Sequence, residues 1–208
     1  MMKEQTAFWK KVAVLLVSLL LAAATLVAVS ALGEFRVRCE DISQKVLRLH
    51  VLANSNSETD QQLKLKVRDA ILKESGQLFG TSKEKADTMQ IVEQHYAELE
   101  QVARRTLLEN GCDLPVTVSL EKTYFNTRTY GEITMPSGYY DALQVKIGAA
   151  SGKNWWCVLF PAICVPSATN VQMEDVLTPE ELDVVEQQGY DVRFKVVEWY
   201  EAVAGWFR

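Results

Sequence analysis

The spacing of hydrophobic positions changes several times along the chain, and each change predicts a different element. Val12 to Ala31 is a run of about twenty residues dominated by Val, Leu and Ala, with no charge and no polar stripe. That length crosses the hydrocarbon core of a bilayer as a helix. After a linker at Gly33 to Cys39, the segment Lys45 to Ala53 alternates, with Leu47, Leu49 and Val51 on one face and Arg48 and His50 on the other, which predicts a strand. Asn54-Ser55-Asn56-Ser57 has turn and cap chemistry, and Ser57 with Asp60 resembles a capping box. Leu63, Val67, Ala70 and Ile71 then recur at helical spacing to about Phe79, with Lys64 and Arg68 together on a face expected to be solvated. Gly80-Thr81-Ser82 breaks the pattern, and Val92, Tyr96, Leu99, Ala103 and Leu107 predict one longer helix closed by Asn110-Gly111.

From Leu114 the period returns to two. Val116, Val118 and Leu120 form one face of a strand and Thr117, Ser119 and Glu121 its wet face. Tyr124 to Tyr140 reads as an irregular loop of the length that tends to be functional. Leu143, Val145 and Ile147 give a further strand, joined hairpin-fashion through Gly148 to Lys153 to an aromatic strand, Trp155 to Phe160, that Pro161 ends. Thr178-Pro179-Glu180-Glu181 starts a helix that Gly189 stops. The last segment, Asp191 to Phe207, carries Val196, Tyr200, Val203 and Phe207 as one stripe, flanked by Trp199 and Trp206 and expected to dock on the domain's own sheet, with an interfacial helix against the membrane or a partner as the alternative. The expected fold is α+β: an N-terminal hydrophobic helix, residues 1–33, then a single domain, residues 34–208, with an antiparallel or mixed sheet of about four strands packed by helices.

Composition narrows the function. With 208 residues, 48% apolar and 24% charged, the chain can bury one sizeable core, and a net charge of −5 argues against nucleic acid as partner. Lys10-Lys11 keep the N-terminus cytoplasmic and send the remainder across the membrane. Ala28-Val29-Ser30 has the small residues a signal peptidase inspects, so cleavage after Ser30 and retention as an anchor are both open. Outside the cytoplasm disulfides persist, and Cys39, Cys112, Cys157 and Cys164 allow three pairings. Cys157 with Cys164 is favoured because Pro161 turns the chain back between them, which leaves Cys39 and Cys112 to pair or to stay as thiols.

Catalytic arrangements are few. A Cys157, His50, Asn54 set has the residue types of an activated thiolate, and an extracytoplasmic thiol hydrolase using Cys157 and His50 is the alternative function. Trp156, Val158 and Leu159 around that thiol argue against it, since apolar surroundings raise a thiol pKa. Zinc on Cys157, Cys164 and His50 meets a cysteine spacing wider than structural sites use. His95, among Glu93, Glu98 and Glu100, reads as an exposed helical imidazole. Phosphate loops, nucleophile elbows and paired acidic motifs are absent from the sequence. A non-enzyme with no cofactor, no metal and no small-molecule substrate is expected.

Two stretches go further. Arg48-Leu49-His50-Val51-Leu52-Ala53-Asn54-Ser55-Asn56-Ser57 with Asp60 to Ala70, and Gly152-Lys153-Asn154-Trp155-Trp156-Cys157-Val158-Leu159-Phe160-Pro161, resemble the stage II sporulation protein R family of endospore-forming bacteria. Tyr130-Gly131 and Pro136 to Leu143 extend the likeness from about Val46 to the C-terminus. Asn56 stands where aspartate is common in the family, and Ala162 where a second proline is. The resemblance implies a protein secreted from the forespore into the space between forespore and mother cell, or anchored facing it. There it would activate a membrane-embedded aspartic protease of the mother cell that processes pro-sigma-E. It brings no catalytic residues. The expected partner-binding residues are His50, Asn54, Ser55, Asn56, Lys66, Arg68, Asp69, Asn154, Trp155 and Trp156.

Overall fold

The computed structural model describes residues 2–79, 82–161, 172–186 and 192–205. Gly80, Thr81, Ala162, Cys164, Gly189, Asp191, Trp206 and Phe207 lie outside them. The chain divides into two units, Met1–Val37 and Arg38–Arg208. The first is the greater part of helix α1, Met2–Lys45, whose Leu and Val side chains from Val14 to Val29 are exposed on every side. Among the described residues, Trp9–Lys45 is a helix long and apolar enough to cross a membrane.

The expected linker at Gly33 to Cys39 is instead helical. No proline interrupts residues 33–45, and within the second unit Cys39 and Ile42, three apart on one face, are buried. Lys45 closes the helix on an ion pair with the buried carboxylate of Glu181, at 2.6 Å.

The second unit is α+β, with a four-stranded mixed sheet in the order β2-β5-β1-β6, where β1 is Leu47–Leu52, β2 Val116–Phe125, β5 Gly138–Ile147 and β6 Asn154–Phe160. The expected hairpin between β5 and β6 does not form. β1 lies between them, parallel to β5 and antiparallel to β6. Leu47, Leu49 and Val51 meet Leu143, Val145 and Cys157 on one face, and helix α2, Glu58–Phe79, covers that face with Leu63, Val67 and Ile71. Burying each such aliphatic side chain contributes about 1.5–3 kcal/mol.

The expected long second helix is two, α3, Lys85–Gln94, and α4, Tyr96–Glu109, broken at His95. The His95 ring nitrogen Nδ1 lies 2.7 Å from the Ile91 carbonyl, a local side-chain bond of the kind that competes with the helix ladder. α4 packs Leu99, Ala103 and Leu107 into the core. It also protects the sheet edge, since Glu100 Oε1 accepts from the Val118 N–H and the Tyr96 hydroxyl from the Leu120 N–H.

The stretch expected to be irregular, Tyr124 to Tyr140, is ordered. β2 runs into it, β3, Arg128–Tyr130, and β4, Ile133–Met135, form a hairpin, and β5 begins at Gly138. A short helix α5, Met173–Val176, precedes α6, Pro179–Glu186, which starts where the sequence predicts: the Thr178 N–H donates to Glu181 Oε2 at 2.7 Å and the Glu181 N–H to Thr178 Oγ1 at 3.3 Å. In the final helix α7, Val192–Gly205, Phe194 and Val197 are buried, while Val196 and Val203 of the expected docking stripe face solvent.

Candidate functional site

Because β1 is central and parallel to one neighbour, both of its faces are covered, the usual condition of parallel strands. Its polar alternates, Arg48 and His50, are therefore inside the protein rather than on a wet face. Arg48 is fully buried. Its Nε donates to the Cys157 carbonyl at 2.9 Å and its Nη2 to the Tyr130 hydroxyl at 2.8 Å, and that hydroxyl donates to the Trp156 carbonyl at 3.1 Å. The guanidinium carbon sits 4.3 Å from the Phe125 ring centroid, 4.9 Å from that of Tyr140 and 5.6 Å from that of Tyr130. Among the described residues no carboxylate pairs with Arg48. Ring faces and carbonyl oxygens hold the charge instead. Burial pushes the Tyr140 phenol far above its usual range, although Arg48 pulls the other way, so Tyr140 stays a neutral donor to the Pro136 carbonyl at 2.7 Å.

His50, two residues along, is 4% exposed, and neither of its ring nitrogens has a hydrogen-bond partner. Burial, helped by the Lys146 charge and opposed by Glu121, lowers its pKa to about 4. It is a neutral ring at physiological pH.

At its C-terminal end β1 enters the Asn54-Ser55-Asn56-Ser57 loop, whose polar atoms are engaged within the chain. Asn54 Nδ2 and the Ser55 hydroxyl donate to Asp60 Oδ2 at 2.9 and 2.5 Å, Asn54 Oδ1 accepts from the Ala149 N–H at 2.9 Å, and Asn56 Oδ1 accepts from the Lys153 N–H at 2.8 Å. The Ser55 and Asn54 bonds hold the Asp60 carboxyl below its usual range. The Gly152 N–H donates to the Ala53 carbonyl, and a Cβ at Gly152 would lie 2.1 Å from the Ser55 carbonyl oxygen. Asparagine and serine thus tie the β1–α2 loop to the β5–β6 connection, and glycine lets them close.

This latch brings the start of β6 against α2. Arg68 stacks over Trp155 with its guanidinium carbon 4.2 Å from the ring centroid and pairs with Asp69 at 2.7 Å. Lys64, expected on a solvated face, is buried, donating to Gln61 Oε1 at 2.7 Å and to the Lys153 carbonyl at 3.0 Å. Its pKa is lowered, by burial first and then by the charges of Arg68 and Lys153. Lys64, Arg68 and Lys153 form a local cationic group around Trp155, with Asn154 exposed beside it, on a chain whose net charge is −5.

The expected residues therefore divide. Arg68, Asp69, Asn154 and Trp155 lie together. Lys66 points to the other side of α2, where its Nζ meets Asn110 Oδ1. His50 and Trp156 stack inside the second face of the sheet. The thiol arrangement does not assemble: Cys157 pairs with Leu49 in the register and faces α2, whereas His50 pairs with Trp156 and faces the opposite layer. The same geometry separates His50 from Cys157 as zinc ligands, and Cys164, with its expected pairing to Cys157, lies outside the described residues. Arg48, Tyr130, Lys64 and Lys153 carry more of the architecture than the sequence analysis assigns them. The available signal was a charged alternate on the strand that leads directly into a helix, the arrangement that places a strand inside a sheet.

Residues 43–170 match the family model described as stage II sporulation protein R. The chain is also 30% identical over 181 residues to the stage II sporulation protein R of Bacillus subtilis (strain 168), covering 76% of this chain and 81% of that protein. No solved structure matches it. The matched span holds β1, the latch, the cationic group and the Arg48 cage, and the chain belongs to the stage II sporulation protein R family.

Proposed function

We propose that this sporulation protein is exported from the forespore, or anchored facing the intermembrane space, and activates a membrane-embedded aspartic protease of the mother cell, so that pro-sigma-E is processed. The observation that carries the reading is the half-buried Arg68–Trp155 stack beside the exposed Lys153, with the buried Lys64 beneath, a cationic and aromatic patch on an otherwise acidic protein. Such a surface suits an acidic extracytoplasmic segment of the receptor, whose carboxylate would compete with Asp69 for the planar, stacked Arg68 guanidinium. Activation requires tighter binding to the receptor's active state than to its inactive one; a full switch from mostly off to mostly on takes a difference of about 10⁴-fold. The latch residues Asn54, Ser55 and Asn56 and the stacked pair His50 and Trp156 hold this surface in place, and a Cys157–Cys164 disulfide would fix the end of β6. No small molecule is turned over in this scheme, and the separation of Cys157 from His50 supports that.

The test is reconstitution. Purified protein is added to vesicles bearing the receptor protease and the sigma precursor, and cleavage is followed with time. Cleavage that depends on the added protein, and that Arg68→Glu removes while circular dichroism stays native, is the expected result. Cleavage unaffected by Arg68→Glu would remove this surface from the interface.

A further inference from the structure

Helix α7 is apolar on two sides, and only one is accounted for by the fold. Phe194 and Val197 are buried, and Glu198 Oε1 accepts from the Thr127 N–H at 3.1 Å, which fixes the rotation of the helix. On the opposite side Val196, Trp199 and Val203, at spacings of three and four, form one exposed stripe, with Trp199 70% exposed and the two valines 37% and 39%. A helix face turned to water ordinarily carries charge.

We propose that this stripe is an interfacial contact with a lipid bilayer, seated at the level where headgroups meet acyl chains. Three observations select lipid over other occupants. The same chain carries the helix at Trp9–Lys45 that is long and apolar enough to cross a membrane, so the folded unit is made at a bilayer surface. The centre of the stripe is a tryptophan, whose apolar body and polar N–H suit the interfacial belt. Among the described residues the stripe is also narrow, three side chains long. A second copy of this chain docking stripe to stripe would bury far less than the ~1,200 Å² of a stable interface, whereas a fluid interface needs no matching groove.

The test uses the full chain reconstituted in phosphatidylcholine vesicles, with and without phosphatidylglycerol. Trp199 fluorescence is taken as the difference between the unaltered chain and Trp199→Phe, an exposed substitution that leaves the fold intact. Lipid brominated high on the acyl chain should quench this difference signal roughly two-fold, as expected for a ring about 5–10 Å into the boundary, while aqueous acrylamide should not. Val203→Asp, with Trp199 retained, should abolish the lipid quenching. Acrylamide quenching of Trp199 in vesicles, or lipid quenching unchanged by Val203→Asp, overturns the proposal. So does shielding from both quenchers, which would assign the stripe to a protein partner or, if it rises with protein concentration, to a second copy. Equal quenching in both lipid mixtures assigns the contact to apolar insertion, and quenching only with phosphatidylglycerol would overturn that apolar mechanism.

Discussion

The imidazole of His50 lies flat on the indole of Trp156, with ring centroids 3.7 Å apart and planes inclined by 13°. The Phe125 ring meets both edge-on, at 6.2 and 4.6 Å. A histidine in that position is used as an aromatic plate, since neither nitrogen is bonded.

That burial has a pH signature. The folded protein holds His50 at a pKa of about 4, against 6.5 for a free side chain, so protons bind preferentially to the unfolded chain. The stability from keeping this ring neutral is complete above pH 6.5 and is lost as pH falls towards 4. Denaturant unfolding of the unaltered protein between pH 7 and 4 should show a loss that His50→Phe lacks, on the order of 2–3 kcal/mol. A difference between the two proteins that does not change with pH would refute the burial of a neutral ring.

Arg48 makes a second test of the same face. Arg48→Ala should destabilise by about 3–5 kcal/mol in urea unfolding, because the Cys157 carbonyl and the Tyr130 hydroxyl lose a charged donor and three rings lose their packing. Arg48→Lys should recover only a minor part, since an ammonium has no planar fork to lie between rings. Tyr130→Phe should cost about 1–2 kcal/mol, and combining it with Arg48→Ala should cost less than the sum. Strict additivity would show that the two do not interact.

The latch predicts which substitutions at expected contact residues act through folding. Gly152→Ala drives a methyl group into the Ser55 carbonyl, and Asn54→Ala removes one of the two side-chain donors to Asp60 and leaves the Ala149 N–H without a partner, so each should cost about 1–3 kcal/mol. Signalling in these strains should fall in step with the amount of folded protein. A folded, stable Asn54→Ala protein that fails to signal would place Asn54 in the receptor contact instead.

Arg68 and Lys66 should separate. Arg68→Glu removes the stack on Trp155 and reverses a charge within the cationic group, whereas Lys66→Glu acts on the far side of α2. Processing of pro-sigma-E should drop at least about tenfold, or 1.4 kcal/mol of differential binding, for the first and stay within about twofold for the second. Equal losses would show a contact surface wrapped around the helix.

Cys157→Ser places a hydroxyl against Leu49 in the apolar layer under α2. Melting temperature and signalling should fall together. Signalling lost at unchanged stability would revive the thiol reading.

Much of this protein follows from local order in the sequence. The long apolar N-terminal helix, the alternation of Leu47, Leu49 and Val51, the helix begun by Ser57, and the Thr178–Glu181 cap each depend on neighbours within a turn or a strand, and each is found in place. The segments Arg48 to Ala70 and Gly152 to Pro161 suffice for the family. What only the tertiary structure decided is which strand lies in the middle. Alternation says that Arg48 and His50 share a face, but burial of that face depends on β5 and β6 flanking β1, on the β3–β4 hairpin that delivers Tyr130, and on the Phe125, Tyr140 and Trp156 rings of the neighbouring strands. Those are contacts across 80 to 110 positions of chain, as with Tyr130 and Cys157 on Arg48. Likewise the composition of α7 announces an apolar helix, yet the face turned inward follows from where Glu198 meets Thr127, a pairing that no periodicity within the helix encodes.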